Sequence, residues 1–485
     1  MLTPLSGRRP CPASLLVFIK LFSFDTVKQS LRRTIERIAL TLPIILGALL
    51  SLGVGLSPGS LCLSLGISLL SFLCLSREHR GIPVLDMFTN QDTWRAVLVL
   101  LSGLILYFII SGTAELSLTK GKWFFNLSLF SLFIILWGVF SLNNIITFFI
   151  LFETRAITIF VIIIGWGYQP ERMMAGTLLL IYTSLASLPL LLSFLLIGSF
   201  LGLEDFWSLI IYLHGAGTSN SVGSGNLLGA AVMAAFFVKF PVYFFHLWLP
   251  KAHVEASAGG SMLLAGVLLK IGGYGLYRVM PLAPRISSIR GVSWALWGSA
   301  GISLICLRQK DFKVMIAYSS VAHIGAVIAC ILTKTTFAAT GRILIIVAHG
   351  VSSSILFFMA GIIYNTTQRR QIALNKRGLT VAPLFTAFWA VGCFTNMGVP
   401  PAINFWAEIL RLISLMGLRM QAAVPLGVVL FARVAYSATL YGVTQAGQRR
   451  RLQGALILLK IKDLATLMAH SILLFILSPL FIRLL

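Results

Sequence analysis

Residues Phe236–Arg278 read FFVKFPVYFFHLWLPKAHVEASAGGSMLLAGVLLKIGGYGLYR. Two apolar runs flank a short polar joint, and each run contains a lysine. Lys239 follows Phe236, Phe237 and Val238, and Lys270 closes a run of Leu, Ala, Gly and Val. A charge inside a membrane helix costs about 2.5–3.5 kcal/mol even on a lenient scale. Lysines near a helix end reach water by snorkelling, but both of these have apolar residues on either side. Two such lysines in adjacent apolar runs therefore mark a functional site. Pro241, two residues after Lys239, removes a backbone donor and frees a carbonyl nearby, so a helix interruption is expected there.

Working outward, the 485-residue chain is 58% hydrophobic and 11% charged, with a mean hydropathy of +0.94. That is the composition of a polytopic membrane protein. A helix needs about 20 apolar residues to span the bilayer. Punctuated by glycine, proline and charge, the chain offers about fourteen such segments, an all-α fold. The expected spans are 37–55, 58–75, 95–112, 122–141, 143–164, 173–199, 226–248, 256–278, 291–307, 313–332, 341–364, 380–416, 422–443 and 466–484. Segment 380–416 is too long for one crossing and contains Gly398-Val399-Pro400-Pro401, so a second broken helix is expected there.

In a soluble protein a net charge of +24 would point to nucleic acid. Here most Lys and Arg residues lie between apolar spans, so anionic phospholipids and acidic partner subunits are the expected counter-charges and nucleic acid is not. Loop charges are nearly balanced between the two sides and vote only weakly for external termini. Residues 1–36 form a basic, acid-poor extension of the kind found in mitochondrial transit peptides. We expect it to be retained as an amphipathic surface arm against lipid or a neighbouring subunit. The domain proper is then 37–485.

No redox site is expected. Cys11, Cys62, Cys74, Cys306, Cys330 and Cys393 form no CxxC or other metal-ligand spacing. Gly223-Ser224-Gly225 lacks the GxGxxG spacing and follows no strand. The informative residues are ionisable groups in apolar surroundings. Glu153 lies in FFILFETRAITIF, after Ile150, Leu151 and Phe152, where a carboxylate needs a proton or a partner. His246 follows Lys239 at i+7, with Tyr243 at i+4, which on a continuous helix would share its face. His323, in IAYSSVAHIGAVI, and His349, in IIVAHGVSSSILFF, sit in adjacent spans beside serine hydroxyls. A single intramembrane histidine is usually a packing residue. Two on neighbouring spans point to a polar line able to relay protons. Glu408 lies two turns beyond the Pro400-Pro401 pair, in TNMGVPPAINFWAEIL. Lys251, His253 and Glu255 are expected to fix the polar joint.

HLWLPKAHVEA, the small-residue run after it, and LLKIGGYG resemble the antiporter-like, proton-pumping subunits of NADH:ubiquinone oxidoreductase (respiratory complex I). The form resembles that of mitochondrial subunit 4. Lys251 and Val254 favour the mitochondrial branch, and glutamate at 408, where the sister subunits carry lysine, favours subunit 4. The resemblance covers roughly residues 95–445. It implies two inverted five-helix repeats, about 122–278 and 291–416, each with one broken helix. Paired interruptions at Pro241 and Pro400-Pro401 agree with such repeats.

The resemblance further implies that Glu153 partners Lys239, that His246, Lys270, His323 and His349 form the central line, and that Glu408 is the exit or linking carboxylate. It implies that NADH, FMN, iron–sulfur clusters and ubiquinone are bound by partner subunits and none by this chain. Partners would be neighbouring antiporter-like and other membrane-arm subunits, with phospholipids such as cardiolipin, in the mitochondrial inner membrane with termini on the intermembrane-space side. A stand-alone cation/proton antiporter would show similar spans without the mitochondrial HLWLPKAHVEA form. A purely structural membrane subunit would tolerate neutral residues at 239 and 408.

This chain also departs from the family pattern. Thr154-Arg155-Ala156-Ile157 replaces small or apolar residues and a proline. Tyr364-Asn365-Thr366-Thr367 replaces Tyr-Glu-Arg-Thr, which puts that loop's ion pairing in doubt. Arg433 adds a charge to the penultimate span. Arg155 lies about 200° around the helix from Glu153 and cannot face hydrocarbon unpaired. Its expected acceptor is a group of a neighbouring subunit or a lipid phosphate.

Overall fold

The long apolar runs of Leu, Ile, Val and Phe form helices because a helix satisfies its backbone groups internally, as the bilayer interior demands. The computed structural model describes residues 86–482, apart from 113–120, 203, 207, 210–211, 213–222, 283–288, 334, 377, 419 and 447–458. The basic extension and the expected spans 37–55 and 58–75 lie outside the described residues.

In chain order the main helices are α1 (Asp86–Gly112), α2 (Lys122–Ser141), α3 (Ile145–Trp166), α4 (Arg172–Leu201), α5 (Gly223–Lys239) and α6 (Trp248–Glu255). They continue with α7 (Ala258–Leu263), a π-helical segment (Leu264–Leu268), α8 (Leu269–Val279), α9 (Ile289–Leu307), α10 (Phe312–Leu332) and α11 (Thr336–Thr367). The last four are α12 (Pro383–Met397), α13 (Ile403–Met416), α14 (Ala423–Gln445) and α15 (Ile461–Ile482). Among the described residues, eight helices are long and apolar enough to cross a membrane.

The surface shows what surrounds these helices. On α4 the exposed residues Ile181, Leu185, Leu188 and Leu192 recur at helical spacing, whereas Ser187 and Ser193 face inward. An apolar outer stripe over a hydroxyl-bearing inner face fits lipid contact. The interior helices are α10, α11 and the α7–α8 rod, which are almost wholly buried.

Both interruptions are present, and the first corrects the expected span 226–248. Helix α5 stops at Lys239, and residues 240–247 turn without helix, with Phe244 at φ +80°. Tyr243 and His246 therefore share no helical face, although their rings still stack with centroids 5.8 Å apart. The chain is held here by close packing. A Cβ on Gly272 would come within 2.8 Å of the Phe240 Cβ and 3.0 Å of its nitrogen, so the glycine lets α8 lie against the break.

The second interruption divides 380–416. Helix α12 ends in Gly398 at φ +79°, a left-handed conformation suited to glycine, and α13 begins at Ile403. An added Cβ would meet Glu408 Oε2 at 2.9 Å and Arg433 Nη2 at 3.0 Å. Gly398→Ala is therefore expected to cost about 1–3 kcal/mol from backbone strain and displacement of that ion pair. Thermal unfolding of the purified assembly would show it, and an unchanged midpoint would contradict it.

Two isolated antiparallel bridges occur at matching places. Asn144, just before α3, pairs with Asp205, and Asp311, just before α10, pairs with Gln371. The bonds also match: Ile145 N–H donates to Glu204 O (2.8 Å) and Phe206 N–H to Asn143 O (3.1 Å). In the second bridge Phe312 N–H donates to Arg370 O (3.2 Å) and Ile372 N–H to Lys310 O (2.9 Å).

Candidate functional site

The ionisable residues fall into three groups along the interior. In the first, Lys239 at the end of α5 forms an ion pair and hydrogen bond with Glu153 of α3. The helix end places the ammonium where backbone carbonyls have lost their donors. The lysine side chain is 1% exposed and the glutamate 24%, so the carboxylate forms the wetter half of the pair.

The second group is built on the π-helical segment. Lys270 donates to Ala265 O and lies 3.1 Å from His349 Nδ1. A protonated Lys270 donates to that nitrogen, which fixes the neutral ring with its hydrogen on Nε2. The His349 and His323 rings follow, with centroids 5.0 Å apart. All three side chains are buried in the protein and none faces lipid. Both His323 nitrogens lack a hydrogen-bond partner among the described residues, and Asn396, Arg411 and Arg433 stand within electrostatic reach of the ring.

The third group is Glu408 of α13, paired with Arg433 of α14. Between the second and third groups lie amides and hydroxyls. Asn404 donates to Ser352 Oγ (3.4 Å) and to Thr395 O, and Asn396 donates to Ser437 Oγ (3.4 Å). Lysine, imidazoles, amides and hydroxyls thus lead from the π segment to the second helix break.

His246 is buried, but no hydrogen bond joins it to any of the three groups; its ring contacts are Tyr243 and Tyr318. Lys251, His253 and Glu255 belong to helix α6 rather than a loop. Lys251 is exposed, His253 stacks on Phe357 at 4.7 Å, and Glu255 pairs with Arg370 at 3.1 Å. Arg370 thus supplies the ion pairing that the altered sequence 364–367 put in doubt.

The expectation for Arg155 needs correction. Its acceptors lie within this chain: Nε donates to Phe152 O and Nη1 to Leu268 O, both at 2.9 Å. The guanidinium also lies 4.0 Å from the centre of the Phe152 ring. A carbonyl of the π segment takes the place expected of a neighbouring subunit or lipid.

Sequence reasoning missed several buried cations, Lys313, Arg342 and Arg411 among them. Lys313, the first residue of the expected span 313–332, is fully buried; it donates to Ala256 O at 3.2 Å and sits over the Tyr168 ring at 4.6 Å. Arg342 lies over the Tyr277 ring at 4.1 Å. Arg411 is buried one turn after Glu408, and its guanidinium has no hydrogen-bond partner among the described residues. Its position three residues after Glu408, inside an apolar run, was the available signal.

Buried lysine, histidine and carboxylate groups strung between two interrupted helices define an antiporter-like polytopic membrane protein. Residues 142–432 match the family described as NADH:quinone oxidoreductase/Mrp antiporter, TM. The chain is 39% identical over 374 residues to NADH-ubiquinone oxidoreductase chain 4 of Ceratitis capitata, covering 75% of this chain and 82% of the relative. It is 39% identical over 390 residues to the protein of the same name from Petromyzon marinus, covering 78% and 84%. A solved structure, respiratory complex I from Thermus thermophilus with bound NADH, contains a chain of the same fold, with TM-score 0.75, 22% identity, and coverage of 91% and 94%. The chain belongs to the NADH-ubiquinone oxidoreductase chain 4 family.

Proposed function

We propose that this chain is a proton-translocating membrane subunit of NADH:ubiquinone reductase. Other subunits would carry NADH, FMN, the iron–sulfur clusters and ubiquinone and oxidise NADH. This chain would move protons across the mitochondrial inner membrane in response. The observation that carries the reading is the pairing, at a broken helix, of buried Lys239 with the partly exposed Glu153 carboxylate. A buried ammonium in an apolar span is expensive unless its charge state is used.

In the proposed cycle Glu153 tunes the hold of Lys239 on its proton. Lys270, His349 and His323 relay charge along the buried line, and the Asn404–Ser352 and Asn396–Ser437 contacts continue it toward Glu408, the exit or linking carboxylate. Lys270 lies 3.1 Å from His349 Nδ1; on losing its proton it keeps two N–H donors and gains a lone pair, so the contact can then run in either direction with the imidazole tautomer. His246 serves as a lateral element beside Tyr243 and Tyr318.

The proposed architecture has fourteen spans over residues 37–485, with 1–36 as a basic arm, and inverted repeats near 122–278 and 291–416. The matched bridges before α3 and α10 support the repeats, because those helices lie an odd number of crossings apart and so run in opposite directions. Neighbouring antiporter-like and other membrane-arm subunits and phospholipids such as cardiolipin are the proposed partners.

The test is proton pumping by the purified assembly in liposomes, driven by NADH and a soluble ubiquinone. Lys270→Ala is expected to reduce protons moved per NADH while the assembly persists. An assembled Lys270→Ala complex with parental pumping would refute the role given to the central line.

A further inference from the structure

Arg155 is held at the junction between the first two groups. From α3 it reaches the carbonyl of Leu268 (2.9 Å), the last residue of the π-helical segment, while Lys270 donates to Ala265 O of the same segment. A π turn shifts the backbone register by one residue, and carbonyls so displaced become available to side chains. One five-residue segment therefore binds a cation from the Glu153 helix on one side and the central lysine on the other.

The space beside Arg155 is a cavity of about 30 Å³ that it shares with Lys239, Thr183, Trp248 and Leu268, room for one or two waters. Arg155 and Lys239 each lie 4.0 Å from the centre of the Phe152 ring, so their charges sit within twice that distance of each other. The charged groups facing Lys239 are Glu153 and Arg155, both from α3. Helices α4 and α6 present Thr183 and Trp248 to the cavity, and Lys270 lies past the π segment.

We infer that Arg155 is a positioning residue for proton transfer between the Glu153–Lys239 pair and Lys270. It ties the π-helical segment that holds Lys270 to the helix that holds Glu153, and it keeps a fixed positive charge beside Lys239. The inference rests on the proton-translocating role of Lys239 and Lys270. It goes beyond that role in assigning Arg155 to the join between them. The planar fork matters, because one guanidinium bonds Phe152 O and Leu268 O at once.

Arg155→Lys and Arg155→Gln separate the fork from the charge. Lysine keeps the charge and loses the fork. Pumping per NADH should fall several-fold in the assembled complex with the pH profile in place. Glutamine loses the charge, so the alkaline limb of the pumping profile should move up by about one pH unit. A merely structural role would change neither the profile nor pumping per assembled complex. Parental pumping and profile in assembled Arg155→Lys overturn the inference, whether or not Arg155→Gln assembles. Lys239→Ala in the same liposomes is the control. If it pumps normally, the translocation reading itself fails. If it does not pump while the Arg155 variants do, only the role of Arg155 is lost.

Discussion

Lys239→Ala is expected to remove proton translocation through this chain while leaving the assembly in place. The lysine is buried at the end of α5 and its partner is Glu153. Without the ammonium, no group at the break can take up and release a proton beside that carboxylate, and removing such a group typically lowers a proton-transfer step by about 10²–10⁴-fold. The assembly survives because the variant does not strand a charge in a dry site. Glu153 is partly exposed, and the fixed Arg155 charge remains near it. NADH oxidation and proton movement are measured together in liposomes with the amount of assembled complex quantified. Parental proton movement in fully assembled Lys239→Ala would show that the lysine is structural. A neutral Lys239→Met, closer in volume, separates lost charge from lost packing and should behave like alanine.

The sequence discloses ionisable residues better than the contacts they make. Glu153, Lys239, Lys270, His323, His349 and Glu408 stand out because charge and imidazole are rare in apolar spans, and the structure buries all of them but Glu153, which is partly exposed. The helix interruptions are legible in proline and glycine. The extent of the first break is not: the backbone stays non-helical from Phe240 to Leu247, well past Pro241. The π segment Leu264–Leu268 leaves no mark in LAGVL, a run as suitable for an α-helix. Without it, neither the acceptor of Arg155 nor the seat of Lys270 can be derived. Lys313 and Arg342 escaped notice because they sit at span ends, where a cation ordinarily reaches water. Instead they lie over aromatic rings, Tyr168 and Tyr277. Aromatic faces that come from distant parts of the chain cannot be foreseen from local pattern.

The pairing of Glu408 with Arg433 makes a second strong prediction. Arg433 looked like an isolated departure in the penultimate span, yet it is the partner of the carboxylate beyond the second break. Both side chains are buried, and Gly398 packs against the pair. Removing one member of a buried ion pair costs about 3–5 kcal/mol, because the remaining charge is left in a medium that solvates it poorly. Arg433→Leu should therefore destabilise the subunit by that amount, read as a lower unfolding temperature and less assembled complex. Replacing both members by apolar residues removes the stranded charge, and such replacements are often neutral for stability. Arg433→Leu with Glu408→Leu should recover most of the lost stability, and in the recovered complex pumping should still be absent. That outcome separates two properties of Glu408: its charge demands Arg433 for folding, and its carboxyl is required for proton movement. Arg411, one turn along the same helix, makes no hydrogen bond to Glu408, whose partner is Arg433. A stable double variant that pumps at the parental rate would remove Glu408 from the proton path. An Arg433→Leu variant as stable as the parent would show that Arg411 or solvent already neutralises the carboxylate.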